Sequence, residues 1–164
     1  MGIGFNAEEI YQIGVEIEKN GEAFYREAAA STDDEDAKKL FNDLAVWEKG
    51  HIKLFEDLKS SLPSNLKPDE GLDLDGQKEM YLKAAADSHV FVRNKDVAAL
   101  VGTCNGPADV LRMAMGFEKD SVVVYTSMKA MVPKKLGQDT IDRLIDEEVQ
   151  HVAMLQQKLV AFTE

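Results

Sequence analysis

Residues 44–55, LAVWEKGHIKLF, decide the fold. Their apolar spacing is that of an amphipathic helix, yet Glu48 and His51 fall on the stripe defined by Leu44, Phe55 and Leu58. Alternating steps of four and three residues run through Ala37, Phe41, Leu44, Glu48, His51, Phe55 and Leu58. That is the inward seam of a bundle helix, with a carboxylate and an imidazole at its centre. Residues three apart share a helix face, so these two side chains converge.

The same arrangement recurs 100 residues later, where EEVQHVAMLQQK (147–158) aligns with WEKGHIKLFEDL (47–58). Glu148 matches Glu48, and His151 matches His51. The shift also aligns EKNGEAFY (18–25) with EKDSVVVY (118–125), pairing Glu18 with Glu118 and Tyr25 with Tyr125. On the seam through Tyr11, Gly14, Glu18, Gly21, Tyr25 and Ala28, Glu18 lies between two glycines. The seam through Leu111, Ala114, Glu118, Ser121 and Tyr125 likewise sets Glu118 between small residues, which leaves room at the axis. The chain thus reads as two halves, each with two long helices, and each helix aims one carboxylate inward.

Helix signals dominate elsewhere, and strand-like alternation is confined to short VFV and VVV pieces. Asn6 with Glu9 forms a capping-box pattern opening a helix to about residue 30, and Thr32 with Glu35 repeats it for a helix ending near residue 61. Residues 62–76, LPSNLKPDEGLDLDG, read as a loop, followed by shorter helices over about 77–88 and 95–103. Pro107 suits the first turn of a third long helix to about residue 132, which Pro133 stops; the fourth covers about 138–162. The expectation is an all-α chain: one domain over residues 1–164, a four-helix bundle with halves at about 6–61 and 107–162. A long, partly helical crossover spans about 62–106.

Composition narrows the function classes. A chain of 164 residues, 45% hydrophobic and 30% charged, can build a core and is not a disordered polyelectrolyte. A net charge of −11 argues against binding nucleic acid through its phosphates. No apolar run approaches the roughly 20 residues that span a bilayer. The opening MGIGFNAEEI has no basic segment followed by an apolar one, so a cytoplasmic protein is expected. The one cysteine, Cys104, forms neither an internal disulfide nor a cysteine-based metal knuckle.

Four buried carboxylates would repel one another, and each would cost several kcal/mol in lost hydration. Two divalent cations resolve this: their +4 balances the −4 of Glu18, Glu48, Glu118 and Glu148, and two neutral imidazoles leave the centre uncharged. One glutamate from each of two helices and Glu-x-x-His from each of the other two is the donor pattern of di-iron carboxylate bundles.

Over all four long helices the chain resembles the rubrerythrin branch of the ferritin-like superfamily. The residues carrying the likeness are EKNGEAFY (18–25), EKGH (48–51), EKDSVVVY (118–125) and EEVQH (147–151). The resemblance implies a ferritin-like four-helix bundle and two iron ions held by Glu18, Glu48, His51, Glu118, Glu148 and His151. Manganese or zinc suits the same ligands. It also implies that Tyr25 and Tyr125 donate hydrogen bonds behind the ligands, and that the chain forms a homodimer whose long connection allows helix exchange. Two departures stand out. Rubrerythrins carry a four-cysteine, rubredoxin-like iron domain that this chain cannot form. They also have a further glutamate one turn after the third-helix ligand, where Ser121 stands here, which argues against redox-linked ligand exchange.

The function expected is a non-haem di-iron oxidoreductase, a rubrerythrin-like peroxidase defending against oxidative stress. It reduces hydrogen peroxide or O₂ with an external electron donor such as a rubredoxin-type protein. Two alternatives stand beside it: a ferroxidase that handles Fe(II) as substrate, and a bundle whose metal is non-catalytic. His89 has no counterpart in the repeat and reads as a structural or surface residue. Glu22 and Glu147 lie off the seams and read as solvated, and Trp47 as a packing residue.

Overall fold

The computed structural model describes residues 7–63, 77–89 and 96–163. Four long helices carry the fold: α1 (Ala7–Ala30), α2 (Glu35–Ser60), α5 (Pro107–Met131) and α6 (Gln138–Thr163). Between α2 and α5 lie α3 (Gln77–Ser88) and the single turn α4 (Ala98–Val101), and a 3₁₀ turn at Lys134–Leu136 joins α5 to α6. No strand occurs among the described residues; the VVV piece (122–124) lies inside α5, and VFV (90–92) falls outside them.

Local chemistry sets the helix ends. Asp34, not Thr32, caps α2: its carboxylate accepts from the Ala37 backbone N–H at 2.7 Å. Thr32 sits two residues too early to reach that amide, and its hydroxyl instead accepts from the Asp34 N–H at 3.2 Å. Asn6 lies outside the described residues. The helix expected over about 95–103 contracts to Ala98–Val101, because the Asp96 carboxylate takes the Ala99 N–H and Gly102 closes the turn. Pro107 occupies the first turn of α5, where no N–H is needed.

The halves form by pairing α1 with α2 and α5 with α6, and they meet along α1–α5 and α2–α6. Their burial repeats in register. Ile10, Tyr11, Gly14, Val15, Ile17, Glu18, Gly21, Phe24, Tyr25 and Ala28 are buried in α1, and so are the residues 100 further on in α5. The crossover then covers the outside, α3 against α5 and α4 against α1. Apolar layers close both ends of the polar centre. Phe41 and Leu44 with Leu155 lie at one end, Phe55 with Ile141 and Leu144 at the other, as the Lys158–Asp34 and Gly137–Leu58 approaches require, and all six are fully buried.

Close approaches hold the first half to the turn between α5 and α6. The Tyr11 hydroxyl donates to the Leu136 carbonyl. Gly137 has φ +122, and a Cβ there would lie 2.6 Å from Leu58 Cδ2 and 3.1 Å from the Tyr11 hydroxyl. Lys158 of α6 reaches the Asp34 cap of α2 at 3.0 Å. No helix among the described residues is long and apolar enough to cross a membrane.

Gly14 lets α1 and α2 approach: a Cβ there would stand 2.6 Å from the fully buried Phe55 ring. Gly14→Ala should therefore lower stability by about 1–3 kcal/mol, against its gain in helix propensity. Gly116→Ala, which meets nothing within 4 Å, should instead raise it by about 0.5–1 kcal/mol. Thermal unfolding of both variants checks the pair of opposite signs.

Candidate metal centre

The seam positions of the four long helices meet at one buried centre. Glu18, Glu48, His51, Glu118, Glu148 and His151 are each at most 4% exposed. They fall into two overlapping groups: Glu18, Glu48, His51 and Glu148 in one, Glu48, Glu118, Glu148 and His151 in the other. Within each group the potential ligand atoms lie within 4.8 Å of one another. Glu48 and Glu148 belong to both groups, so either could serve both ions if two were bound, while Glu18 and Glu118 would each serve one. Each group has one histidine.

Both imidazoles turn Nδ1 to the centre. His51 Nδ1 lies 3.1 Å from Glu148 Oε1 and 3.4 Å from Glu18 Oε2. His151 Nδ1 lies 2.9 Å from Glu148 Oε2 and 3.7 Å from both Glu48 Oε1 and Glu118 Oε2. Among the described residues, four buried side-chain atoms have no hydrogen-bond partner: Glu18 Oε2, Glu48 Oε1, His51 Nδ1 and Glu148 Oε1. One from each residue of the first group, they are all donors of the kind a divalent cation takes. Buried polar atoms are otherwise almost always paired, so this concentration fits a cation site.

The tyrosines lace the halves together crosswise. Tyr25 of α1 donates to Glu118 Oε1 of α5, and Tyr125 of α5 donates to Glu18 Oε1 of α1. Each bond fixes a terminal carboxylate from the opposite half, leaving its second oxygen for the centre. Burial, then the neighbouring carboxylates, raise both phenols well above their usual range, so they remain donors.

Protons now stand where cations fit. Burial raises Glu48 well above the carboxylate range, and Glu18 raises it further. Burial and the charge of Glu148 push Glu118 up to about 8. Burial alone would lower both histidines, but Glu148 and Glu18 hold His51 up at about 12, and Glu118 and Glu148 hold His151 at about 9. Burial disfavours the charge on Glu148 as well, yet His151 and His51 hold it ionised, below the usual range.

Three residues outside the seam pattern touch the centre or flank it. Glu147 is half exposed, as an off-seam residue should be, but its Oε2 accepts from His51 Nε2 at 2.9 Å. Trp47 is 40% exposed and stacks on His151, with centroids 5.2 Å apart and planes at 10°. His89, at the end of α3, is wholly buried, with Nε2 3.0 Å from Ser121 Oγ, one turn from Glu118. Burial lowers His89 to about 4, so it is a neutral imidazole. Glu22, by contrast, only pairs with Arg26 on the surface of α1.

No family model and no curated protein matches the chain. One solved structure does: a candidate ferritin-like diiron-carboxylate protein from Thermotoga maritima, 22% identical, with 96% of each chain covered and a TM-score of 0.68. The fold is that of a ferritin-like helical bundle. At that identity the likeness speaks for the architecture, and the case for metal rests on the Glu/His cluster itself.

The proton distribution sets a pH dependence. Glu118, His51 and His151 all bind protons more tightly folded than unfolded. Their stabilisation is present at low pH and fades as pH rises from the unfolded carboxylate value of about 4.5 through the folded values of about 8 and 9. Glu148 has the opposite sign, but its contribution is complete above about pH 6. The chelated, metal-free protein should therefore melt at progressively lower temperature from about pH 6 to about pH 9. Added divalent metal should give a stabilisation that grows over the same interval, because the ligands must lose these protons. Thermal melts with chelator and with Mn(II) test both slopes.

Proposed function

We propose that the chain is a di-iron oxidoreductase that reduces hydrogen peroxide or O₂ with electrons from an external donor. The observation that carries the reading is the pair of buried Glu/His groups sharing Glu48 and Glu148, with four unpartnered donor atoms turned to one position. Glu18, Glu48, His51 and Glu148 would hold one ion, and Glu48, Glu118, Glu148 and His151 the other. When bound, a ferrous pair supplies two electrons at one place, the number needed to cleave a peroxide O–O bond to water without releasing a radical.

The chain's own residues supply the remainder. Tyr25 and Tyr125 fix the terminal carboxylates, and the apolar layers around Phe41 and Phe55 keep bulk water from the axis. Reduction of one peroxide also consumes two protons. The His89–Ser121 pair is a buried, neutral hydrogen-bonded unit one helical turn from Glu118. The one cysteine of this sequence cannot build a four-cysteine iron site, so the reading assigns the electrons to a separate donor, for which a small one-electron carrier of the rubredoxin type suits. One chain carries all six proposed ligands, and a homodimer, with or without helix exchange, would hold two such centres. A reducing, cytoplasmic setting suits an unpaired Cys104.

Metal analysis of anaerobically purified protein, followed by peroxide titration of the reduced form, tests the proposal. Two iron ions per chain and one peroxide consumed per pair, with turnover once a reduced donor is added, are expected. His51→Ala should cut the stoichiometry to about one, while Glu48→Ala, which touches both groups, should weaken both positions. Iron uptake far above two per chain would favour iron handling as the role. Inert zinc binding would leave metal with no catalytic part.

A further inference from the structure

The internal repeat makes the two halves of the centre nearly alike, and the positions just before the shared glutamates break the likeness. Position 147 is Glu and position 47 is Trp. Each side chain crosses to the histidine of the opposite helix. Glu147 of α6 takes the Nε2–H of His51 at 2.9 Å. Trp47 of α2 lies flat on the His151 ring, and among the described residues no carboxylate accepts from His151 Nε2.

We infer that the two ion positions are unequal, and that Glu147 makes the His51 position the tighter and first-filled one. This rests on the two-ion reading of the centre. A carboxylate on the outer nitrogen fixes the imidazole tautomer with the Nδ1 lone pair inward, makes that nitrogen more basic and adds a negative charge near the cation. An indole face steadies the plane of His151 and does none of these. The inner atoms point the same way. Of the four unpartnered atoms, Glu18 Oε2 and His51 Nδ1 belong to the His51 group alone and the other two to the shared glutamates, whereas His151 Nδ1 already engages Glu148 Oε2 at 2.9 Å. The His151 position is then the second to fill and the first to exchange.

The size of the effect follows from exposure. Outer partners of ligating histidines change metal affinity by about 10- to 100-fold. Glu147 has a side chain 54% exposed, so solvent screens its charge, and the lower end, about tenfold, applies. The exposure also means that Glu147→Gln removes the charge without disturbing the core.

Anaerobic titration of the metal-free protein with Mn(II), counting free ion by its magnetic resonance signal, reads the two affinities directly. The wild-type chain should bind two ions in succession, with dissociation constants at least about tenfold apart. In Glu147→Gln the tighter constant should weaken by about tenfold and the weaker one should stay, so that the two converge. Trp47 is the only tryptophan, and its emission reports the His151 position; it should change mainly with the second equivalent. Two equal constants in the wild type, equal loss at both positions or at neither in the variant, or an emission change completed by the first equivalent would overturn the inference. Binding of no ion, or of one only, would instead overturn the two-ion reading and this inference with it.

Discussion

Charge compensation in a water-poor core is the constraint on which the other features depend. Four carboxylates and two imidazoles occupy seam positions where neighbouring residues are fully buried Phe, Leu and Ile. Burying one such apolar side chain stabilises a fold by about 1.5–3 kcal/mol. One uncompensated buried carboxylate costs at least as much. Six apolar replacements would therefore make a more stable bundle. The chain keeps acids there, holds two of them with buried tyrosines and turns the free oxygens to a common point. Such an arrangement is costly as structure and sensible as a ligand set. Protons can satisfy part of it, which is why Glu48 and Glu118 are raised together while Glu148 is held ionised by the histidines.

The surrounding fold serves that centre. Small residues beside Glu18 and Glu118 leave space at the axis, and the approach of α1 to α2 at Gly14 brings Phe55 down as a lid on one end. The crosswise tyrosine bonds make each half complete the other, so the ligand set is rigid only when both halves are packed. The long connection does more than link the halves. Through α3 it delivers His89 to Ser121, and so places a neutral imidazole one turn from a proposed ligand.

Much of this was legible in the residues, and the reason is periodic geometry. Seven-residue spacing identifies the inward face without knowledge of any neighbour, so Glu18, Glu48, Glu118, Glu148 and both histidines stand out once the seams are drawn. The offset of 100 residues then pairs them. What escaped depends on distances between helices. Nothing in EEVQH says that Glu147 can reach across to His51, because being off-seam is compatible with both solvation and an edge contact. Trp47 read as a packing residue, and its stacking on His151 depends on how α2 and α6 are rotated. His89 reaches Ser121 only because α3 lies along α5, a placement with no periodic signature. The α2 cap was misread as Thr32 for a simpler reason: Thr32 with Glu35 matches the capping-box spacing, and only the folded backbone shows that Asp34, two residues on, accepts the Ala37 N–H.

The central claim is that the core is organised around two metal ions, and anomalous X-ray scattering from crystals of the iron- or manganese-loaded protein tests it most directly. Two peaks are expected inside the bundle, one beside Nδ1 of His51 and one beside Nδ1 of His151, with Glu48 and Glu148 between them. A single peak, or peaks only among the surface carboxylates, would contradict it.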